Sequence, residues 1–420
     1  MQRRHLIQRA AALASGLLPV GATAWAATNP AAKVRGRRLV VILLRGAVDG
    51  LSVVVPYTDP GYPQARSSIA LARPGAEGGV PDLDGRFGLH PALASLMPLW
   101  HSGQLGFVHA SGSPDSTRSH FDAQDYMESA TPGLKATPDG WLNRLIGALP
   151  QAAGSASAAR AVSIGPVLPR IFSGRQPVAT IASGHSATKP GVLDRPKVSD
   201  AFGALYAGDD KVSQAFRQSQ QAHREVVDSM SGDGLAQEMQ AASNGAPLPN
   251  GFAQDASRLA RLMRNNEQVQ FAFMAVGGWD THANQGAATG QLANRLAPLG
   301  QGLSALATGL GPVLDDTVVV VMSEFGRTVR QNGNGGTDHG HANVMWLIGG
   351  HVAGGKVHGR WPGLDAAALH DGRDLAVTTD FRQVLAQVCE RHLGVSDARL
   401  ADVFPAWSGG TGERLTVMRG

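Results

Sequence analysis

Aspartate and histidine stand two residues apart at Asp280 and His282, two histidines stand two apart at His339 and His341, and Ser119 directly precedes His120. Asp49, Glu324 and Arg327 add further charged groups. Neutral imidazole with carboxylate oxygen is the donor set that suits zinc, manganese or iron. Each short pair alone fits a structural role equally, because "DTH" and "DHGH" readily make turns whose side chains cap the backbone. The argument for a metal is their placement at the ends of separate apolar runs, where convergent titratable groups make a site.

Ser119 has two readings. With Asp122 three residues on it forms the pattern of a capping box at a helix start. A serine at a helix N-terminus beside metal ions is also placed to attack an anionic ester, since the dipole and free N–H groups there favour negative charge. Both roles can coexist. Arg45, Arg118 and Arg327 are candidates to clamp a phosphate or sulfate, or are arginines of the surface and sheet edge. In "GGHVAGGKV" the glycines and Lys356 imitate a phosphate-binding loop, but Val357 stands where a magnesium-binding Ser or Thr belongs.

These residues need elements to position them. Apolar runs at 39–44, 105–110, 269–278, 317–323 and 344–350 read as strands buried on both faces. Helix-like segments such as "PALASLMPLWHSG" and "TGQLANRLAPLGQGLSALATGL" lie between them, and "DFRQVLAQVCERHLGV" is a further apolar-faced helix. Strands alternating with helices predict an α/β sandwich with a largely parallel sheet, whose ligands bind outside the carboxyl ends of the strands. Asp49, Ser119, Asp280 and Glu324 each follow a run. "GTDHGHAN" precedes its strand, so it is expected to fold back over "NGNGG". Residues 150–250, with a Gly/Ala/Ser-rich stretch and the polar, helix-prone "SQAFRQSQQAHREVVDSM", read as an inserted cap and not a second domain.

With 420 residues, 43% of them hydrophobic, the chain can bury a sizeable core. A net charge of +4, with the basic residues scattered, argues against a nucleic-acid partner. Cys389 is the only cysteine, which excludes an internal disulfide and makes a thiolate site improbable. The first residues carry Arg3-Arg4, a modest apolar stretch and Ala24-Trp25-Ala26, the pattern of a twin-arginine export signal over 1–26. That pattern predicts the twin-arginine translocase as a partner and a periplasmic or secreted protein. No stretch reads as a stable membrane span.

Through "LLRGAVDGL", "RSHFDAQDYME", "GGWDTH", "SEFGRT", "TDHGHAN" and "TTDFRQVL", the chain from residue 27 to 420 resembles the domain-of-unknown-function 1501 family. That family is similar in turn to the alkaline phosphatase and sulfatase superfamily. The resemblance implies a three-layer α/β/α sandwich with a mixed, mainly parallel sheet and a dinuclear metal site at its carboxyl edge. Carried over, Asp49 matches the first metal-binding Asp, Ser119 the nucleophile, and Asp280 with His282 a ligand pair. Glu324 takes the place of the Asp in an Asp-His-Gly motif, where Phe325 replaces the His. His339 matches the late metal histidine, and His341 or His120 is available to replace the lost ligand. The expectation is an exported hydrolase of small anionic phosphate or sulfate esters using one or two divalent ions, zinc or manganese. The rival expectation is a binding or assembly protein that keeps the crevice without the chemistry.

Overall fold

Seven residues, Arg38–Leu44 (β1), are buried along their whole length. Val40, Ile42 and Leu44 belong to one apolar cluster, while Leu39, Val41 and Leu43 belong to another. The period-two alternation of a strand therefore places both faces of β1 in a core. The computed structural model describes residues 36–135, 137–150, 160–184, 234–409 and 415–419, and Arg38–Gly420 forms one unit.

Eight more strands complete the sheet: β2 (Leu105–Gly112), β3 (Ala161–Ile164), β4 (Ala179–Ile181), β5 (Phe271–Val276), β6 (Thr317–Ser323), β7 (Asn343–Gly349), β8 (Val357–His358) and β9 (Thr379–Asp380). Their order is β8-β2-β7-β6-β1-β5-β3-β4, with β9 also paired to β2. Only the pairings made by β7, with β6 and β2, are antiparallel. The sheet is thus mixed and mainly parallel.

Helices cover both faces. On one side lie α4 (Phe252–Asn265) and α5 (Gln291–Leu310), which bury Ala256, Leu259, Leu296 and Leu303 against the first cluster. On the other lie α2 (Trp141–Ala148), α6 (Phe381–Gln387) and α7 (Asp397–Val403), which bury Trp141, Leu145, Phe381 and Val403 against the second. Two further helices of ten residues are α1 (His120–Ser129) and α3 (Gly234–Ser243), beside several shorter ones. The architecture is the expected three-layer α/β/α sandwich. Cys389 is fully buried in the turn after α6, as its apolar-faced segment implied.

Two expectations are corrected. Part of the cap region belongs to the central sheet, because β3 pairs with β5 and β4 with β3. Of the remainder, 151–159 and 185–233 lie outside the described residues, as does the export signal at 1–26. The loop before β7 needs no fold-back. Since β7 runs opposite to β6, its start lies beside the end of β6, on the same edge as the loops that follow the parallel strands. Among the described residues no helix is long and apolar enough to cross a membrane.

Candidate metal centre

The loop between β6 and β7, the loop after β5 and the start of α1 meet at the carboxyl edge. The segment after β6 runs antiparallel to the segment before β7, joined by an isolated bridge between Arg327 and His339. Gly326 N–H donates to the His341 carbonyl at 2.8 Å and Gly340 N–H to the Gly326 carbonyl at 2.8 Å. A Cβ at Gly340 would collide with the Arg327 backbone, so glycine is what lets "SEFGRT" and "TDHGHAN" lie this close. Thr337 N–H in turn donates to the Thr281 carbonyl at 3.2 Å, tying in the loop after β5.

Three imidazoles converge there. Nε2 of His339 lies 3.0 Å from Nε2 of His120 and 3.0 Å from Nε2 of His282. Oδ1 of Asp280 lies 2.9 Å from the His282 Nε2, 3.2 Å from that of His339 and 3.5 Å from that of His120. His120, Asp280 and His339 each place a ligand atom within 4.8 Å of the others.

The opposite ring nitrogens decide what this means. Nδ1 of His120 donates to Glu324 Oε1 at 2.8 Å, Nδ1 of His282 to Asp338 Oδ1 at 3.2 Å, and Nδ1 of His339 to the Arg118 carbonyl at 2.9 Å. Those acceptors carry no proton, so each neutral ring keeps its hydrogen on Nδ1 and turns the Nε2 lone pair inward. Three lone pairs facing one carboxylate repel one another unless a cation lies between them. An outer carboxylate or carbonyl holding the far nitrogen is the usual support of a metal-ligating histidine. The separations among His120, Asp280 and His339, 3.0, 3.2 and 3.5 Å, are near the roughly 3.3–3.6 Å between neighbouring ligands of a metal with bonds of about 2.0–2.2 Å. Among the described residues His120, Asp280 and His339 could together hold one divalent ion, and His282 Nε2 lies beside two of them, Asp280 and His339.

The electrostatics agree. Burial works against the Asp280 charge, but hydrogen bonds from the three histidines and the Arg327 charge hold its carboxyl below the ordinary range. Burial pulls His120 down, yet Asp280 and Glu324 outweigh it and raise it to about 9. His282 is raised chiefly by its bond to Asp280. The neighbouring carboxylates therefore favour positive charge on His120 and His282.

Several sequence-derived site residues lie elsewhere in this arrangement. Glu324 stands behind His120 and is not among the converging donors. Its Oε1 also accepts Gly46 N–H at 2.8 Å and Gln124 Nε2 at 3.0 Å. Phe325 packs against the group, its ring 4.9 Å from that of His120 and 5.1 Å from that of His339. His341 is turned away, donating Nε2 to the Ser113 carbonyl at 3.0 Å with its ring 4.5 Å from His370.

Asp49 joins a different group: Arg66 grips it at 2.5 and 3.0 Å, and Ser52 and Gln285 each donate to it at 2.7 Å. Its carboxyl is held below the ordinary range, since Arg66 and these hydrogen bonds overcome burial.

The arginines are also committed. Arg327 is 1% exposed and donates to Asp280 Oδ1 at 2.6 Å and to Thr337, so its guanidinium is committed to those two residues. Arg45 is paired with Glu128 at 2.6 Å, and Arg118 with Asp374 at 2.8 Å.

Ser119 is the N-cap of α1, its Oγ accepting Asp122 N–H at 3.4 Å. The reciprocal half of a capping box is absent, because Asp122 pairs with Lys135 at 2.8 Å. The hydroxyl is exposed, between Arg118, whose carbonyl holds His339, and His120. Gln124 was not singled out by the sequence reading. Gln124 is one helical turn beyond His120, a spacing that would have placed both on one face of α1. Arg66 carries no such signal.

An α/β/α sandwich with a candidate His–Asp metal site at the carboxyl edge of its sheet is the class that fold and site define. The chain belongs to the family described as protein of unknown function (DUF1501), whose model matches residues 87–404. Among curated proteins no relative matches. Similar solved structures include Ps i-CgsB in complex with k-i-k-neocarrahexaose, at 11% identity and a TM-score of 0.36 over 88% of this chain and 76% of that one. The PsFucS1 sulfatase from Pseudoalteromonas sp. gives 11% and 0.36 over 88% and 70%. The lipoteichoic acid synthase LtaP from Listeria monocytogenes gives 10% and 0.31 over 82% and 75%. Likenesses this distant decide nothing about the activity of the chain.

Proposed function

We propose that this protein is an exported, metal-dependent hydrolase of phosphate or sulfate esters. The observation that carries the reading is the convergence of His120, His339 and Asp280, with His282 beside the last two and every Nδ1 already held by an acceptor. Three imidazoles and one carboxylate suit zinc better than magnesium or calcium, which take oxygen ligands. A divalent ion held by these four side chains supplies Lewis acidity and offsets the charge of an anionic ester.

The chain's own residues have separate tasks. Glu324, Asp338 and the Arg118 carbonyl orient the rings, and Arg327 keeps Asp280 ionised and in place. Ser119, exposed at the first turn of α1, is the proposed nucleophile, with backbone N–H groups of that turn near the developing negative charge. A panel of aryl phosphates and aryl sulfates, assayed after chelation and again after zinc or manganese is restored, tests the reading. Turnover that follows metal content supports it. Metal binding with no turnover on any ester would favour the binding protein instead.

A further inference from the structure

The family resemblance leads to an expectation of up to two ions, and Asp49 is the residue that would help to hold the second. Asp49 is wholly buried and both its oxygens are spent: Oδ2 on Arg66, Ser52 and Gln285, Oδ1 on Arg66. Arg66 is equally buried and also donates to the Thr328 and Val329 carbonyls, each at 3.0 Å. This guanidinium is a cation built into the chain, placed against the carboxylate that would otherwise require one from solution. Glu324, the other unused acid, is likewise filled by His120, Gln124, Gly46 and Ser323. A second ion finds no free carboxylate here.

The pair does not stand apart from the centre. Gln285, fully buried, donates Nε2 to Asp49 and accepts at Oε1 from Thr281 at 2.8 Å and Thr337 at 2.9 Å. Thr337 accepts from Arg327, which holds Asp280. Asp280 and Thr281 are consecutive, so Gln285 reaches the ligand from two sides.

We propose that the centre holds one ion, and that Asp49–Arg66 is a fixed ion pair which positions Asp280 through Gln285, Thr337 and Arg327. Asp49, Arg66 and Gln285 are then positioning residues. The proposal rests on the metal reading above.

The full mature chain, titrated with cobalt(II), gives metal per chain by native mass spectrometry and coordination by the visible absorption of the bound ion. One equivalent is expected in the wild type. Asp49→Asn is expected to keep that equivalent, and if the stranded Arg66 charge prevents folding, Asp49→Asn with Arg66→Gln removes both charges together. Gln285→Met is expected to bind one equivalent about tenfold more weakly, with an altered visible spectrum, as loss of an outer-sphere partner does. A structural role alone would leave the spectrum unchanged.

A second equivalent in the wild type, or loss of the single one in a folded Asp49 variant, overturns the proposal. An unchanged spectrum and affinity in Gln285→Met overturns the positioning role. No cobalt bound by the wild type overturns the metal reading and this proposal with it, and so differs from the other failures.

Discussion

Ser119 accepts the Asp122 N–H at 3.4 Å, a long capping bond from an exposed hydroxyl. Ser119→Ala is therefore expected to fall at the low end of the about 0.5–2 kcal/mol that a lost cap costs. If Ser119 is the nucleophile, the same variant keeps its fold and its metal and loses ester turnover, because only the attacking oxygen is gone. Thermal stability, metal content and rate measured together check this, and wild-type turnover in the variant would remove Ser119 from the chemistry. At this scale the sequence was informative about residue type and strand edge. It marked His120, Asp280, His282 and His339 as candidates, and these are the four that meet. The structure places Asp49, Glu324, Arg327 and His341 outside that group, because an edge does not say which neighbour a side chain faces. Arg66 lies 17 residues from Asp49, at no recurring spacing, and only the folded chain shows that it fills that carboxylate.

The two segments that carry Arg327 and His339 depend on backbone contact. Gly340→Ala would drive a methyl into the Arg327 backbone, part the Gly326–Gly340 hydrogen bond and shift His339. The expected result is destabilisation of about 1–3 kcal/mol, the range of overpacked sites, with weaker metal binding than that loss of stability explains. Calorimetry beside zinc titration would show it, and unaltered zinc affinity would mean that this bridge does not place the ligand. Strands of six to eight residues were legible as apolar runs. β3 and β4, four and three residues long and containing Ser163 and Thr180, were hidden inside a stretch of small and polar residues. The direction of β7 was not legible at all, since an apolar run reads the same either way. That direction is what brings His339 to the edge without a fold-back.

Over the whole molecule, two buried histidines link stability to pH. His90 donates Nε2 to the Ala287 carbonyl and accepts Ala92 N–H at Nδ1, and His109 does the same with the Val54 carbonyl and Ala110 N–H. Burial lowers both to about 4. Their folded values lie below the unfolded value of about 6.5. The stability they allow is therefore present above pH about 6.5 and lost as pH falls towards 4, at up to about 3 kcal/mol each. The melting temperature of the metal-loaded protein is expected to fall across that window, less steeply in His109→Gln. A flat profile would contradict the assignment.

The layered fold was legible from alternating apolar runs and helical segments, because burying both faces of a parallel sheet needs helices on each side. Export rests on residues 1–26, and Arg3→Lys with Arg4→Lys is expected to retain the precursor inside the cell. Unchanged recovery outside the cytoplasm would oppose it.

The central claim is that His120, His282, His339 and Asp280 hold one divalent ion, and X-ray absorption fine structure of the zinc-loaded protein tests it most directly. The predicted result is three imidazole nitrogens and carboxylate oxygen at about 2.0–2.2 Å. A first shell with one imidazole or none, or no retained zinc, would contradict it.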